Sequence, residues 1–412
     1  MSRKGLLRLL FLSFLLLSGC WNRTELNELG ITAATAFDKE GETWVMSYQV
    51  IVPSAMATGQ GGAGNGGSSK PSVHVFTNRG ASIREAADMS YMESSRRLYF
   101  AHTDVLVLGI EAAKAGIDEV LDLYFRNNDA RETVLVTITD GKASDILKKL
   151  IPGENLPGTA LSEMLRKESA FSSRLPSIKV YQLAQKVTSD SAAAGVPEIK
   201  YTGNIKGEME SLDDEKKTSA PGKLVLNRLG VFQRDRFIGW LNRRESFGVS
   251  WLTNQVKGST IAFSSDRKNE SGKQNSIRIT LAKTKVTPEK AGNHFKMKVE
   301  VNLSGALLEA GTNQDLLKPE SISKLEQDLE KEVTGIIDTG WKASKRIGVD
   351  LPGFADKIHR KYPKDWKKMK ETWKQDFKKV ELDVQVKAKI QRPGLLKKSF
   401  RSNHEGSSKA GK

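Results

Sequence analysis

The chain has 412 residues, 38% of them hydrophobic and 28% charged, with a formal net charge of +16. These proportions lie near the averages for globular proteins and exclude a chain too polar to bury a core, and the length allows two or three domains. The single cysteine, Cys20, excludes an intrachain disulfide and any cysteine-based metal cluster.

In chain order, Arg3, Lys4 and Arg8 lead into an apolar stretch that ends Leu16-Leu17-Ser18-Gly19-Cys20. A basic start, a short apolar run and small residues before a cut make an export signal, too short for a bilayer that needs about 20 apolar residues. Leu-Ser-Gly-Cys is the order of a bacterial lipobox, in which the cysteine thiol accepts a diacylglyceryl group and becomes the new N-terminus. Residues 1–19 are therefore expected to be removed and Cys20 to carry the lipid. Without Arg3, Lys4 and Arg8 the net charge is +13, and a basic chain tethered beside anionic lipid accounts for it more simply than nucleic acid does. No later run is long enough to cross a membrane, so the chain is read as anchored rather than spanning.

Trp44–Val52 is rich in β-formers and bounded by Gly41 and Pro53, which predicts a strand. Residues 58–69 are glycine-rich, but no Gly-Lys-Ser or Gly-Lys-Thr follows as a phosphate cradle requires, and the stretch is read as a loop. Next come an expected helix over Ala81–Met92, a strand over Asp104–Leu108, a helix over Ala112–Phe125, a strand over Thr133–Ile138 and a helix over Ala143–Leu150. Such alternation predicts helices packed on a sheet.

Signals from 155 to 190 are helical, and Gly195-Val196-Pro197 interrupts them. Expected strands at Pro197–Ile205, Leu224–Val231 and Phe237–Leu241, a short helix at Glu245–Leu252 and a strand at Thr260–Phe263 suggest a small middle unit. Beyond a polar linker, Ile277, Ile279 and Leu281 alternate, as do Phe295 to Leu303 and Val380 to Ile390, predicting three half-buried strands. Ile322, Leu325, Leu329, Val333, Ile336 and Ile337 recur every three or four residues, the stripe of a long amphipathic helix. After Pro363 a second helix is expected. Its apolar stripe is Tyr362, Trp366, Met369, Trp373 and Phe377; Lys364, Lys367, Lys368, Lys370, Lys374, Lys378 and Lys379 fill its other faces, either solvated or against anionic headgroups.

The resulting expectation is a mixed α+β (α/β) protein of three domains, each a sheet packed with helices, on an N-terminal lipid anchor. Its divisions are a cleaved signal at 1–19, an N-terminal domain at 20–190 holding the loop 58–69, a middle domain at 191–264, a linker at 265–275, a C-terminal domain at 276–395 and a polar tail at 396–412. No catalytic set is evident. The five histidines, His74, His102, His294, His359 and His404, have no metal-ligand spacing, no Gly-x-Ser-x-Gly elbow is present, and no metal or cofactor is expected. His102 and Asp104 precede an apolar strand, where a structural hydrogen-bonding role is expected.

Several segments together resemble one family. The stretch Gly19-Cys20-Trp21-Asn22 followed by Glu25-Leu26 resembles the mature start of the Ger(x)C proteins, the C-subunit lipoproteins of bacterial spore germinant receptors, with Asn22 where the family has Asp. Arg96-Arg97-Leu98-Tyr99-Phe100-Ala101-His102, Arg126, Arg131-Glu132-Thr133, Gly239-Trp240-Leu241, Glu245 and His359 through Trp366 follow in the family's order. The resemblance covers nearly the whole mature chain except the glycine-rich stretch and the tail. It implies a non-enzymatic subunit of a nutrient germinant receptor on the outer face of the spore inner membrane. Its implied partners are two integral-membrane subunits, one A-type and one transporter-like B-type, besides the lipid on Cys20, and no nucleic acid. Arg126, Arg131, Glu132 and Glu245 match the family without forming a catalytic set and are the candidate interface residues. A lipid-anchored solute-binding protein of an importer is the alternative, and a cell-envelope hydrolase a third reading.

Overall fold

The computed structural model describes residues 28–53, 71–203, 209–215, 222–264, 275–311 and 316–392, with Glu25, Ala55 and Ser219 besides. Cys20, the expected signal peptide 1–19, the glycine-rich stretch 58–69, the expected linker up to residue 274 and the expected tail 396–412 lie outside the described residues. The strands are β1 Leu29–Glu40, β2 Thr43–Ile51, β3 Val73–Gly80, β4 Arg97–Tyr99, β5 Val105–Leu108, β6 Leu135–Ile138, β7 Ile178–Lys179, β8 Ala193–Tyr201, β9 Leu224–Gln233, β10 Arg236–Leu241, β11 Ser259–Phe263, β12 Asn275–Ala291, β13 His294–Glu309 and β14 Glu381–Arg392. The helices are α1 Ile83–Asp88, α2 Ser90–Glu93, α3 Ile110–Ala115, α4 Asp118–Arg126, α5 Ala143–Leu147, α6 Pro157–Phe171, α7 Val180–Val187, α8 Leu212–Glu215, α9 Arg243–Leu252, α10 Pro319–Ile347, α11 Phe354–Lys361, α12 Pro363–Met369 and α13 Trp373–Lys379.

Two sheets organise the chain, and the expected mixed α+β class, sheets packed with helices, is what the fold shows. The first runs β10-β9-β8-β6-β5-β1-β2-β3, with β4 beside β1 and β7 beside β6. Its central strands β1, β5, β6 and β8 are parallel. Parallel strands are covered on both faces, which is why β5 and β6 are buried at every position without alternation. On one face Phe37, Met46, Leu106, Leu108, Val136 and Ile138 pack with residues of α1, α3, α4 and α7. On the other, Ala34, Ala36, Val105 and Val107 meet Ile146 and Leu147 of α5 and Leu161 and Leu165 of α6. The second sheet is β11-β12-β13-β14, where β12 and β13 form a long hairpin and β14 runs parallel to β13. Ile277, Met297, Val299 and Val301 bury against Leu325, Leu329, Val333, Ile336 and Ile337 of α10.

The two bodies meet through α9, the end of α10, the turn that follows it and α11. Val249, Ala343, Val349 and Leu351 pack with Leu175, Ala193, Leu229, Val231 and Leu241 in one apolar cluster. Polar contacts reinforce the joint. Asp356 of α11 accepts the backbone N–H of Asp190 at 3.0 Å and the Ser191 hydroxyl at 2.6 Å, and Trp366 Nε1 of α12 donates to Asp190 Oδ1 at 3.2 Å.

Several expected elements differ in detail. Residues 191–264 do not stand apart as a sheet of their own: β8, β9 and β10 extend the first sheet, and β11 opens the second. The edge of β6 takes β8 as a parallel neighbour, Ile138 opposite Glu198, so the three strands continue the larger sheet. The helix expected over 112–125 is two helices, broken where Gly116 takes φ +127°. The segment 155–190 is also two, α6 and α7, with β7 between them. The expected helix after Pro363 is broken at residues 370–372 by a 3-10 turn, yet Trp366, Trp373 and Phe377 are buried and the lysines exposed. The strands β1 and β3 have no counterpart in the periodicity.

Candidate functional site

Because β1, β5 and β6 are neighbours and parallel, the segments that precede them converge on one end of the sheet. There β4 pairs with the start of β1, Leu29 opposite Arg97, and a 3-10 turn of Phe100–His102 follows. Thr32 Oγ1 donates to Tyr99 O at 3.0 Å and lies 2.7 Å from Thr103 Oγ1, which pins this turn to β1. Thr159 in the first turn of α6 donates to Asp104 Oδ2 at 2.8 Å, the structural hydrogen bond expected for Asp104. His102 leans against Tyr99, ring centres 5.8 Å apart. Between these elements lies a groove of about 460 Å³, lined by His102, Asp104, Arg131, Thr133, Thr159 and Arg166. Arg166 pairs with Glu163 at 2.8 Å. Arg131 and Glu132 are exposed at the rim, and the Glu132 carbonyl accepts the Tyr181 N–H at 3.0 Å. The arrangement offers charged and hydroxyl groups for binding. Among the described residues no group of three His, Cys, Asp or Glu side chains is placed to hold a metal ion.

A second, narrower cavity of about 120 Å³ lies beneath α4. Its floor is Thr35 and Tyr124, whose hydroxyls are 2.7 Å apart, and burial pushes the Tyr124 phenol up. Phe37, Met46, Leu98 and Phe100 form its walls. The ion pairs Arg84–Asp88 at 3.4 Å and Arg97–Asp129 flank it. Arg126 ends α4 with its side chain 79% exposed, 3.2 Å from Asp122. Phe125 beside it is 50% exposed, and on α2 Tyr91 is 64% and Met92 79% exposed. The helical layer over this part of the sheet thus carries apolar side chains and a cation in solvent, a composition typical of contact surfaces.

The four candidate interface residues therefore divide. Arg131 and Glu132 share the groove end, and Arg126 lies on α4. Glu245 belongs to neither place: only 8% of it is exposed, it completes a capping box with Asn242 at the start of α9, and its carboxylate lies 2.9 Å from Arg346 of α10. A buried carboxylate that caps one helix and holds another is not an exposed contact, so its place in the expected interface is corrected to a joint within the chain. Sequence reasoning missed Asp190 and Asp356, which join residues more than 160 positions apart. No local pattern reports such a pair.

Comparison with known proteins agrees with this architecture. A family model described as spore germination protein N-terminal domain matches residues 22–201, and one described as spore germination B3/GerAC like, C-terminal, matches residues 227–394. The chain is 31% identical over 401 residues to spore germination protein KC of Bacillus subtilis (strain 168), covering 96% of this chain and 97% of that protein. It is 22% identical to spore germination protein B3 of the same organism, over 92% of this chain and 96% of the relative. The crystal structure of the GerBC protein is similar in fold, with a TM-score of 0.51, 18% identity and coverage of 87% of this chain and 97% of that one.

Proposed function

The chain belongs to the Ger(x)C family of spore germination proteins, and from that premise we infer that it is the C subunit of a nutrient germinant receptor, held to the membrane by a lipid on Cys20. The observation that carries the reading is the correspondence with spore germination protein KC along almost the full length of both chains. No helix among the described residues is long and apolar enough to cross a membrane. The attachment in this reading is through the acyl chains of a modified Cys20, with palmitate as one of them. Two chains hold a protein stably where one binds only marginally. The subunit sits on the outer face of the spore inner membrane beside an A-type and a transporter-like B-type integral-membrane subunit. Its role is assembly and signal coupling, without chemistry of its own.

Within this reading Arg126, with Phe125, Tyr91 and Met92 around α4, is the surface offered to a partner subunit, and Arg131 and Glu132 form a second contact at the groove end. Arg126→Glu should leave the melting profile within about 0.5 kcal/mol of wild type, because the side chain is exposed. The same change should reduce assembled receptor in spores several-fold and slow the nutrient response. Germination by agents that bypass receptors should stay normal. Co-purification of the membrane subunits decides it: wild-type recovery with Arg126→Glu removes α4 from the interface. Tight nutrient binding by the purified chain alone would favour the solute-binding alternative.

A further inference from the structure

The segment from Lys357 to Lys379 contains ten lysines and arginines against three acids. Lys364, Lys367, Lys368, Lys370, Lys374 and Lys378 are all exposed, and among the described residues none of them meets a carboxylate within ion-pair distance. By contrast two of the segment's acids are engaged, Asp365 by Lys290 at 2.7 Å and Asp376 by Lys379 at 2.9 Å. The packing explains why the cations face outward. Trp366, Trp373 and Phe377 fill the core beneath the second sheet, and the lysines occupy what remains of each helix.

The fold also fixes where this cationic surface lies. The parallel strands β1, β5, β6 and β8 all begin at one end of the first sheet. Asp190, three residues before β8, accepts Trp366 Nε1, and Asp356 of α11 accepts the Asp190 N–H, so α11 and α12 are held against that end. β1 begins there too, three strand spacings away, or about 15 Å. Cys20 precedes Leu29 by nine residues, a length that reaches about 30 Å at most when fully extended. A lipid on Cys20 would therefore keep the strand-start end close to the bilayer and bring the lysines of α12 and α13 to it.

We propose that the lysine-bearing faces of α12 and α13 dock on anionic phospholipid headgroups and orient the molecule with the starts of β1, β5, β6 and β8 toward the membrane. The surface requires a dense array of phosphates and no single stereospecific pocket, which is what a bilayer presents to clustered lysines. The proposal rests on the anchored-subunit reading for its geometry, and its test does not use the anchor. Residues 20–412 carrying Cys20→Ala, which have no thiol to acylate, are mixed with vesicles of phosphatidylcholine alone or with phosphatidylglycerol added. The chain should bind the anionic vesicles about tenfold or more tightly than the neutral ones, and the difference should shrink as salt rises. Reversal of Lys367, Lys368 and Lys370 to Glu should weaken anionic-vesicle binding about a hundredfold, given the contribution of each basic residue near such a surface. Reversal of the exposed Lys318, Lys324 and Lys342 on α10 and its flank should change it far less.

Equal weakening by the two triple variants would mean that net charge and not this face is responsible, and would overturn the proposal. So would equal binding to both vesicle types, or binding to single-stranded DNA in preference to vesicles. Failure of the anchor itself is read separately, by whether a fatty-acid probe still labels Cys20→Ala in cells.

Discussion

Asp350 shows how a single buried carboxylate can set the pH response of a domain. It lies one residue before Leu351, sealed from solvent, and accepts the N–H groups of Phe354 at 2.9 Å and Ala355 at 2.7 Å at the start of α11. Burial outweighs those two hydrogen bonds and raises the carboxyl from the usual 3.8 to about 6. The folded state therefore holds a proton that the unfolded state has already released between those values. Stability from this group is present below about pH 3.8 and is lost as the pH rises through 6, in total about 3 kcal/mol. Asp350→Asn cannot ionise and should lack that dependence. Urea titrations at pH 4 and pH 7 should show wild type losing up to about 3 kcal/mol more than the variant over that interval. Parallel pH profiles for the two chains would show that Asp350 titrates alike in the folded and unfolded states. Glu245 acts on the same scale as a cap and a bridge, which accounts for an acid at a position that would otherwise suit an apolar side chain.

At the scale of elements, the crossing of α9 and α10 depends on two glycines. A Cβ added to Gly248 would lie 2.3 Å from the Ile336 carbonyl oxygen and 2.6 Å from the Gly340 nitrogen, and one on Gly340 would meet Gly248 Cα at 2.6 Å. Backbone cannot yield as a flexible side chain can, so the helices would have to separate. Gly248→Ala should cost about 1–3 kcal/mol, the range for overpacking a close contact. Gly335 lies on the same helix α10, is exposed, and has nothing within 4 Å of an added Cβ. There Ala should stabilise by about 0.5–1 kcal/mol, because glycine in a helix interior is unfavourable. Thermal melts of the two variants should move in opposite directions, and a loss of stability in Gly335→Ala would show that the exposed face of α10 is constrained by something other than helix propensity.

For the molecule as a whole, the main question is whether the two sheets unfold as one unit. Their shared apolar cluster and the Asp190–Asp356 contacts predict that they do. Asp356→Ala removes the acceptor for the Asp190 N–H and for the Ser189 and Ser191 hydroxyls, which should weaken the coupling by about 2–3 kcal/mol. Hydrogen exchange under mild denaturant should then protect amides of β5 and β13 to different degrees, where wild type protects them together. Identical protection in the variant would assign the coupling to the apolar cluster alone. A rigid connection between the sheets would also suit the signal-coupling role proposed above.

The sequence by itself determined the class of the fold, the long helix α10, the alternating strands β12 to β14 and the core face of α12 and α13. Each of these is reported by residues a few positions apart, and burial of one face imposes a period of 2 or 3.6 on them. The family resemblance was likewise legible, because it is carried by residue order. Only the tertiary structure decided the place of β1. Its run Thr32-Ala33-Ala34-Thr35-Ala36 lacks the large apolar residues that mark a strand, since α6 packs so closely that a Cβ on Gly158 would lie 2.9 Å from Ala34 Cβ. Small residues there are a consequence of a helix more than 120 positions away. The same distance in sequence hid the groove at Arg131, the joint at Asp190 and the burial of Glu245. Strand order and helix docking bring those groups together, and neither leaves a period in the chain.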